Sequence, residues 1–328
     1  MPYVAPSGKW VLLMDSQTGR LLLQALPDGK RRRLPNKWRV RCLWGAPWSR
    51  DGDTFFLVVP GDGRPIGPRL PGDDVLAIRP GDLTSARIGL RGIVVVGSVV
   101  PSPNNRMLAA TVMGDRDVSS GLMIVPLTRR AERTTTTNGY RVAFRHDVEA
   151  IAWIRPELMA VLTGGFDLAK IGAPQFRRKM LDPQMWRWGV FLLDAISGRS
   201  RPLILPGSQR LSALAPYSDS TGALIALAHD RTRTTVYRLD LRNEGWADVG
   251  ELHGAQKWFI AYANPDRIYF WSYAGAGRRA VQVATYRPSQ RMLEPPRPIS
   301  VRGPISTDRA GRIYWWDGSR VMRRSPIG

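Results

Sequence analysis

The chain of 328 residues repeats one short pattern seven times, and this repetition constrains its fold more than any other feature. Each copy places a turn rich in Pro, Ser, Asp, Asn and Gly before a short apolar run. The copies begin at Pro6, Trp48, Pro101, Trp153, Tyr217, Tyr262 and Ser306. Equivalent positions in successive copies lie 44, 53, 51, 66, 44 and 45 residues apart. A period of about 44 residues matches one four-stranded blade of a β-propeller per repeat.

Further strand-like segments flank the seven turns. A second apolar run follows each turn, at residues 19–26, 73–79, 121–127, 189–195, 234–241, 280–286 and 320–324. Turn residues separate these runs, and most of the chain has no periodic segment of helix length. We therefore predict an all-β protein, a seven-bladed β-propeller that forms a single domain over residues 1–328. Six blades are the weaker alternative, and residues 164–188 are expected to form a long loop insertion.

The turn at residues 48–56 has a recognisable motif. Trp48, Ser49, Asp51 and Gly52 have the spacing of a W-S-x-D-G repeat, and residues 101–109 are similar with Asn-Asn in place of Asp-Gly. This motif resembles the repeats of TolB-like propellers and of the propellers attached to prolyl-oligopeptidase-type peptidases. The Gly-His and Trp-Asp signatures of true WD-repeat propellers are missing. The resemblance touches all seven units but is close in two, so it implies a fold and no particular activity.

The two ends of the repeat array leave one strand unassigned. The first unit begins almost directly at its apolar strand, and the last has two or three strand-like segments. The segment Pro2–Ala5 could add to the last blade, which is the usual way for a propeller to join its ends, and we favour this arrangement. Otherwise the last blade has an open edge that a partner chain could complete.

Signatures of enzyme chemistry are mostly absent from the sequence. No serine lies in a G-x-S-x-G elbow, and His146, His229 and His253 are widely separated with no H-E-x-x-H pattern. His229 and Asp230 could join a site assembled from distant loops, but a lone histidine at a strand end is more often structural. We predict no catalytic residues and no cofactor, with a propeller hydrolase or lyase as the weaker alternative.

The sequence also gives no metal site. Acidic pairs at 51–53, 73–74 and 115–117 fall in turns, where aspartate side chains accept hydrogen bonds from nearby backbone N–H groups. The single cysteine, Cys42, excludes an internal disulfide framework and a zinc site built from several cysteines. We therefore predict that no metal is bound.

The first residues do not have the pattern of a secretory signal, and the longest apolar run, at 93–100, is far shorter than the roughly 20 residues of a membrane helix. We expect a cytoplasmic protein with no transmembrane segment; a mature secreted form that has already lost its signal is the alternative.

Positive charge is the strongest indication of a partner. The chain has 48 Lys and Arg against 27 Asp and Glu, a net charge of +21, and only six of the cations are lysine. Residues 30–41 have seven cations, one tryptophan and no acid. The candidate binding residues here are Lys30, Arg31, Arg32, Arg33, Lys37, Trp38, Arg39 and Arg41. Arginine suits phosphate or carboxylate groups and tryptophan offers a stacking surface. The alternative is a solvated outer strand.

The insertion at 164–188 is the second candidate for an interface. It contains the residues Phe176, Arg177, Arg178, Lys179, Trp186, Arg187 and Trp188. Exposed Trp and Arg are typical of interaction hot spots, although these tryptophans could instead cover the apolar end of a blade. The loops at 60–73, 113–120 and 129–146 are expected to open on the same face of neighbouring blades.

Three functions remain open at this point. The first is a non-catalytic interaction scaffold, a basic subunit of a multi-subunit assembly whose partners are other proteins. The second is a module that binds RNA or single-stranded nucleic acid, in which arginines neutralise phosphates and tryptophans stack on bases. Peripheral contact with an anionic membrane is a variant of the first. The enzyme described above is the third.

Overall fold

The computed structural model forms seven β-sheets, which are the blades of a seven-bladed β-propeller. The predicted all-β fold class and blade number are therefore confirmed. No helix in the described part of the chain is long and apolar enough to span a membrane. The structure describes residues 2–14, 20–27, 29–35, 48–60, 73–90, 93, 95–113, 120–127, 135–136, 139–144, 147–164, 189–204, 210–218, 223–229, 232–242, 245–253, 257–263, 266–274, 280–301, 305–317 and 319–325.

The chain divides into two compact units. The first unit joins Met1–Leu34 to Leu205–Gly328, and the second unit is Pro35–Ile204. Numbered in chain order, blades one, five, six and seven belong to the first unit, and blades two, three and four belong to the second. The expectation of a single domain over the whole chain stays a prediction.

Blade one is a four-stranded antiparallel sheet in simple chain order. Its strands are β1 (Pro2–Val4), β2 (Trp10–Met14), β3 (Leu21–Ala25) and β4 (Arg31–Arg33). The middle of β2 is apolar and buried at Val11, Leu12 and Leu13. By contrast, all three residues of β4 are arginines exposed to solvent, which is what an outer strand can accommodate.

The N-terminal strand corrects one expectation. β1 pairs with β2 of its own blade, with Val4 opposite Val11, so the proposal that Pro2–Ala5 adds to the last blade is wrong. The cause is a tight turn: the Ala5 N–H donates to the Trp10 carbonyl at 2.8 Å, and the Gly8 N–H donates to the Ala5 carbonyl at 2.8 Å. This turn returns the chain directly into β2.

The second unit contributes the next three blades. Its strands are β5 (Phe55–Pro60), β6 (Asp73–Ile78), β7 (Ser85–Gly89), β8 (Val95–Pro101), β9 (Met107–Met113), β10 (Ser120–Pro126), β11 (Thr135–Thr136), β12 (Tyr140–Phe144), β13 (Asp147–Arg155), β14 (Leu158–Gly164), β15 (Gly189–Asp194) and β16 (Ser200–Leu203). The sheet orders are β5-β6-β7-β11 in blade two, β8-β9-β10-β12 in blade three and β13-β14-β15-β16 in blade four.

The segment between β10 and β13 is more structured than the loop that we expected at 129–146. It supplies outer strands to two neighbouring blades. β11 pairs in parallel with β7, with Thr135 opposite Ile88, whereas β12 pairs antiparallel with β10. Blade two therefore gains an outer strand from a distant part of the chain.

The rest of the first unit contributes twelve strands. They are β17 (Arg210–Ser218), β18 (Ala223–His229), β19 (Arg233–Asp240), β20 (Gly245–His253), β21 (Phe259–Ala263), β22 (Ile268–Ala274), β23 (Ala280–Arg287), β24 (Met292–Leu293), β25 (Arg297–Ile299), β26 (Ser306–Thr307), β27 (Ile313–Trp316) and β28 (Val321–Arg324). Blade five has the order β17-β18-β19-β20, and blade six has the order β21-β22-β23-β24 with β25 also on β23. Blade seven has three strands among the described residues, β26-β27-β28.

The repeated W-S-x-D-G motif is a hydrogen-bonded turn. The Ser49 Oγ donates to the Asp51 carboxylate at 2.5 Å and accepts the Thr54 N–H at 3.0 Å, while the Asp51 carboxylate also accepts the Asp53 N–H at 3.0 Å. In blade three the same roles are filled by Ser102, Asn104, Met107 and Arg106. An amide oxygen at Asn104 thus replaces a carboxylate oxygen, which explains how the motif tolerates Asn-Asn.

One position of this turn has a left-handed backbone in four blades. The residues there are Gly8, Gly52, Asn105 and Gly311, with φ values of 68°, 78°, 54° and 72°. Glycine and asparagine are the residues that adopt this conformation most readily. The glycine of the motif is therefore a requirement of the turn.

Apolar side chains from adjacent blades pack between the sheets. In the second unit, one such cluster joins Phe56, Val58 and Val75 of blade two to Leu108 and Val112 of blade three. In the first unit, Leu227 and Val236 of blade five pack with Phe270 and Tyr286 of blade six, together with Trp258.

We predict that Gly311→Ala destabilises the protein by about 2 kcal/mol. The φ of Gly311 is 72°, and an added Cβ would lie against the hydroxyl and ring of Tyr269. Urea denaturation measures the change. Gly81→Ala is the control, because a Cβ at Gly81 meets nothing within 4 Å, and its effect is expected to stay within about 0.5 kcal/mol. Equal effects of the two substitutions would contradict the role of the left-handed turn.

Candidate interaction surface on the first and last blades

The outer strand of blade one is fully basic. Lys30, Arg31, Arg32 and Arg33 are all exposed. Because side chains alternate along a strand, Arg31 and Arg33 lie on one face of the sheet and Arg32 lies on the other. The pairing of β4 with β3 places Arg33 opposite Leu22.

Leu22 identifies the face on which Arg31 and Arg33 lie. It belongs to an apolar cluster that blades one and seven share. The other members of this cluster are Val4, Val11, Leu13, Leu26, Tyr314, Trp316 and Val321. Arg31 and Arg33 are therefore on the side of blade one that faces blade seven.

Arg31 is held between the two blades. Its Nε donates to the Gln24 Oε1 at 3.1 Å, and its Nη2 donates to the Ser319 carbonyl at 2.6 Å. Its guanidinium carbon lies 4.9 Å from the centre of the Trp316 ring, within the range of a cation–π interaction. A side chain held in this way keeps a positive charge in a defined position.

Asp317, two residues before Ser319, is held mainly by its own turn, where it also pairs with the Arg320 Nε at 3.6 Å. The Asp317 carboxylate accepts the backbone N–H groups of Arg320 and Ser319, both at 2.8 Å, and the Ser319 hydroxyl at 2.9 Å. These hydrogen bonds, with the Arg320 N–H as the largest contribution, lower the pKa of Asp317 to about 2. Asp317 therefore stays ionised and fixes the turn whose Ser319 carbonyl binds Arg31.

Blade seven adds further cations beside β4. Arg320 precedes β28, Arg323 and Arg324 end it, and all three are exposed. We define the basic rim as the exposed cations of these two outer strands and the turn before β28: Lys30, Arg31, Arg32, Arg33, Arg320, Arg323 and Arg324.

Only four of the candidate residues from the sequence fall in the described part of the chain. They are Lys30, Arg31, Arg32 and Arg33, and the structure places them together on the basic rim. The remaining candidates lie outside the described residues: Lys37, Trp38, Arg39, Arg41, Phe176, Arg177, Arg178, Lys179, Trp186, Arg187 and Trp188. Residues 61–72 and 114–119, which form most of two expected loops, also lie outside them. These assignments stay predictions.

Sequence reasoning missed the contribution of blade seven. Arg320, Arg323 and Arg324 lie in the last strand-like run, which signalled a strand but not a binding surface. Their proximity to Arg31 depends on packing between segments that are 288 residues apart, as in the bond from Arg31 to Ser319. The sequence did contain one indication of a binding surface here. Several arginines follow two consecutive tryptophans, Trp315 and Trp316.

A buried carboxylate fixes the first turn of blade seven beneath this surface. Asp308 is fully buried, and its Oδ2 accepts the Arg312 Nε at 2.6 Å and the Tyr314 hydroxyl at 2.9 Å. Burial, followed by the bond to Asp308, raises the pKa of Tyr314 to about 12. The same turn contacts blade one, because the Arg309 N–H donates to the Pro6 carbonyl at 3.0 Å.

His229, the histidine that the sequence offered as a possible member of a catalytic site, contacts a threonine of its own sheet. The His229 Nδ1 lies 2.9 Å from the Thr234 Oγ1, directly across the β18–β19 pair. Within the described ranges, no three residues among His, Cys, Asp and Glu are grouped as metal ligands would be.

No family model matches the chain, and no curated protein is significantly similar to it. Among solved structures, it is similar to the β-propeller domain of Cps50 (Swd1) from Myceliophteria thermophila, with 14% identity and a TM-score of 0.59. The alignment covers 99% of this chain and 96% of that one. It is also similar to the β-propeller domain of the Trilobed protease from Pyrococcus furiosus, which has an open velcro topology. There the identity is 11%, the TM-score 0.56 and the coverage 99% and 88%.

A third similar structure is the dihydro-heme d1 dehydrogenase NirN in complex with DHE, with 16% identity and a TM-score of 0.54. The match covers 96% of this chain but spans only 61% of that protein. At these identities the similarity shows the fold alone. It confirms the β-propeller fold that the sequence resemblance implied.

We predict that Arg31→Ala lowers the free energy of unfolding by about 1 to 2 kcal/mol, because it removes a hydrogen bond between blades and a cation–π contact. Arg33→Ala removes the same charge from the same face of β4 and is expected to change stability by less than about 0.5 kcal/mol. Chemical denaturation compares the two variants. A loss for Arg33→Ala as large as that for Arg31→Ala would show that Arg31 has no special anchoring role.

We also predict a stability change at alkaline pH that depends on Tyr314. Its folded pKa of about 12 exceeds the usual 10.0, so the folded state holds this proton more tightly than the unfolded chain does. The resulting stability is present below pH 10 and is lost between about pH 10 and 12. Tyr314→Phe should reduce the loss in this window by about 2 kcal/mol, measured by urea denaturation at a series of pH values. The same pH dependence in both proteins would contradict this assignment.

Proposed function

We propose that this β-propeller is a non-catalytic interaction scaffold, a basic subunit of a larger macromolecular assembly that binds other proteins through the basic rim. The observation that carries the proposal is the concentration of exposed cations on β4 and at β28. Asp317, beside this rim, is engaged by its own turn, and its carboxylate also lies 3.6 Å from the Arg320 Nε.

The chemistry of the rim suits an acidic protein partner. A surface of one charge sign steers an oppositely charged partner and raises the rate of association. Arg31 is already ordered by Gln24, Ser319 and Trp316, so its binding would cost less side-chain entropy than that of a mobile arginine. Arginine and tryptophan are also the residue types that contribute most to binding energy at interfaces.

The absence of enzyme motifs from the sequence supports a scaffold over a hydrolase or lyase. No G-x-S-x-G elbow is present, and the three histidines are far apart in the chain. His229, the best catalytic candidate, contacts a threonine of its own sheet. Since β-propellers host many unrelated functions, the proposal is based on the surface and not on the fold.

The proposal is tested by charge reversal on the rim. Lys30→Glu/Arg33→Glu changes two exposed cations of blade one. The control Arg199→Glu/Arg201→Glu makes the same charge change in blade four, at the residue before β16 and at the second residue of β16. Each protein is expressed in the organism that naturally produces it and is purified under native conditions. We expect the wild type and the control to elute with a partner protein. The amount of this partner that elutes with the rim variant should be at least about tenfold lower.

Three results would contradict this function. The wild type could elute only as an isolated monomer, or both double variants could retain the partner equally. In the third, nuclease treatment would release all bound material, and binding to an RNA oligonucleotide would fall steeply with added salt. That outcome would support a nucleic-acid-binding module instead of a protein scaffold.

A further inference from the structure

The last blade has an open edge in the described part of the chain. β28 pairs with β27, with Val321 opposite Trp316 and Arg324 opposite Ile313. No described strand lies on the other side of β28, whereas each of the other six sheets has four or more strands. An edge of this kind presents backbone N–H and C=O groups that another strand can pair with.

The hydrogen-bond pattern identifies the backbone groups that face outward. The Asp317 N–H donates to the Arg320 carbonyl at 3.2 Å, at the start of the β27–β28 pair. Because bonding direction alternates along an antiparallel strand, Met322 and Arg324 also direct their backbone groups toward β27. The N–H and C=O groups of Val321 and Arg323 therefore point away from the sheet.

The protein already extends one sheet with a strand from a distant segment. β11 is only two residues long, yet it pairs in parallel with β7, with Thr136 opposite Gly89. A segment from a distant part of the chain thus pairs with the last two residues of β7.

The positive charges around the β28 edge favour a strand with acidic side chains. An added strand would lie beside β28 and next to β4, so its side chains would face Arg31, Arg33 and Arg323. Acidic side chains match these cations. The β28 edge of a second copy would bring arginines opposite arginines, which is destabilising across a strand pair.

Backbone chemistry separates a peptide from a nucleic acid. The outward groups of Val321 and Arg323 include both donors and acceptors. A second β-strand offers both in return, at the same spacing along its backbone, whereas the phosphates along a nucleic-acid backbone offer acceptors only. The edge therefore favours an extended polypeptide.

We propose that Val321–Arg324 accepts an extended acidic segment of a partner protein as the fourth strand of the last blade, by β-strand addition. This inference rests on the proposed scaffold function and names the chemistry of its partner. The main-chain hydrogen bonds provide the pairing, and the basic rim provides the preference for acidic side chains.

The test uses the full chain with synthetic fluorescent peptides of about eight residues, an ordinary strand length. The first alternates valine with glutamate, the second alternates valine with lysine, and the third is the glutamate peptide with N-methyl groups on alternate amides. Fluorescence anisotropy measures binding, and hydrogen exchange measures protection of individual amides.

We expect the glutamate peptide to bind at least about tenfold more tightly than the lysine peptide, and the N-methylated peptide to lose this binding. The bound glutamate peptide should slow the exchange of the outward amides of Val321 and Arg323. The amides of Met322 and Arg324, which already bond to β27, should change much less.

Two variants separate strand pairing from charge. Arg323→Gln removes the charge and keeps the outward N–H, whereas Arg323→Pro removes both and leaves the bonds to β27 intact. We expect weaker binding for Arg323→Gln and no measurable binding for Arg323→Pro. Thermal unfolding verifies that both variants fold. If Arg323→Pro does not fold, hydrogen exchange of the wild-type protein with the bound peptide provides the test.

Specific results would overturn strand addition. One is that the glutamate peptide does not bind at concentrations up to about 1 mM. Another is that it binds without slowing the hydrogen exchange of the Val321 and Arg323 amides. A third is that Arg323→Gln and Arg323→Pro bind the glutamate peptide with equal affinity. If a native partner is nevertheless recovered in the charge-reversal experiment above, the scaffold function survives and only the binding mode is wrong. Displacement of the peptide by an RNA oligonucleotide that binds more tightly would also overturn the proposal.

Discussion

The packing of the first blade against the last is the interaction on which the candidate surface depends. A small apolar cluster that includes Val11 and Tyr314 joins the two sheets, and the Arg309 N–H donates to the Pro6 carbonyl beside it. Asp308 orders the same turn through Arg312 and Tyr314. Because β4 and β28 are the outer strands of these two sheets, the same packing brings two basic segments from opposite ends of the chain together.

The basic rim combines a fixed charge with a strand, β28, whose outer edge is not paired with any described strand. Arg31 is anchored by contacts with Gln24, Ser319 and Trp316, and Asp317 stabilises the turn that provides one of them. β28 lies next to this group and has no described neighbour on its outer side. Charge alone would fit many polyanions. The proposed backbone pairing adds a second requirement, which an extended polypeptide with acidic side chains would meet.

The sequence predicted the repeat and the turns well, because both depend on local chemistry. Asn105 and Gly52 occupy the same left-handed position, and Ser49 and Ser102 make the same bonds, so the period could be counted from these residues. Pairings between distant segments were not predictable in this way. The association of β11 with β7 and the bond from Arg31 to Ser319 depend on tertiary packing, and β1 joined its own blade because a tight turn returns it to β2.

A structure of the protein bound to its partner in the native assembly is the most direct test of this account. We predict an additional strand from the partner alongside Val321–Arg324, with carboxylates facing Arg33 and Arg323. A partner bound to other blades, with the outer side of β28 left in solvent, would contradict the assignment of this surface.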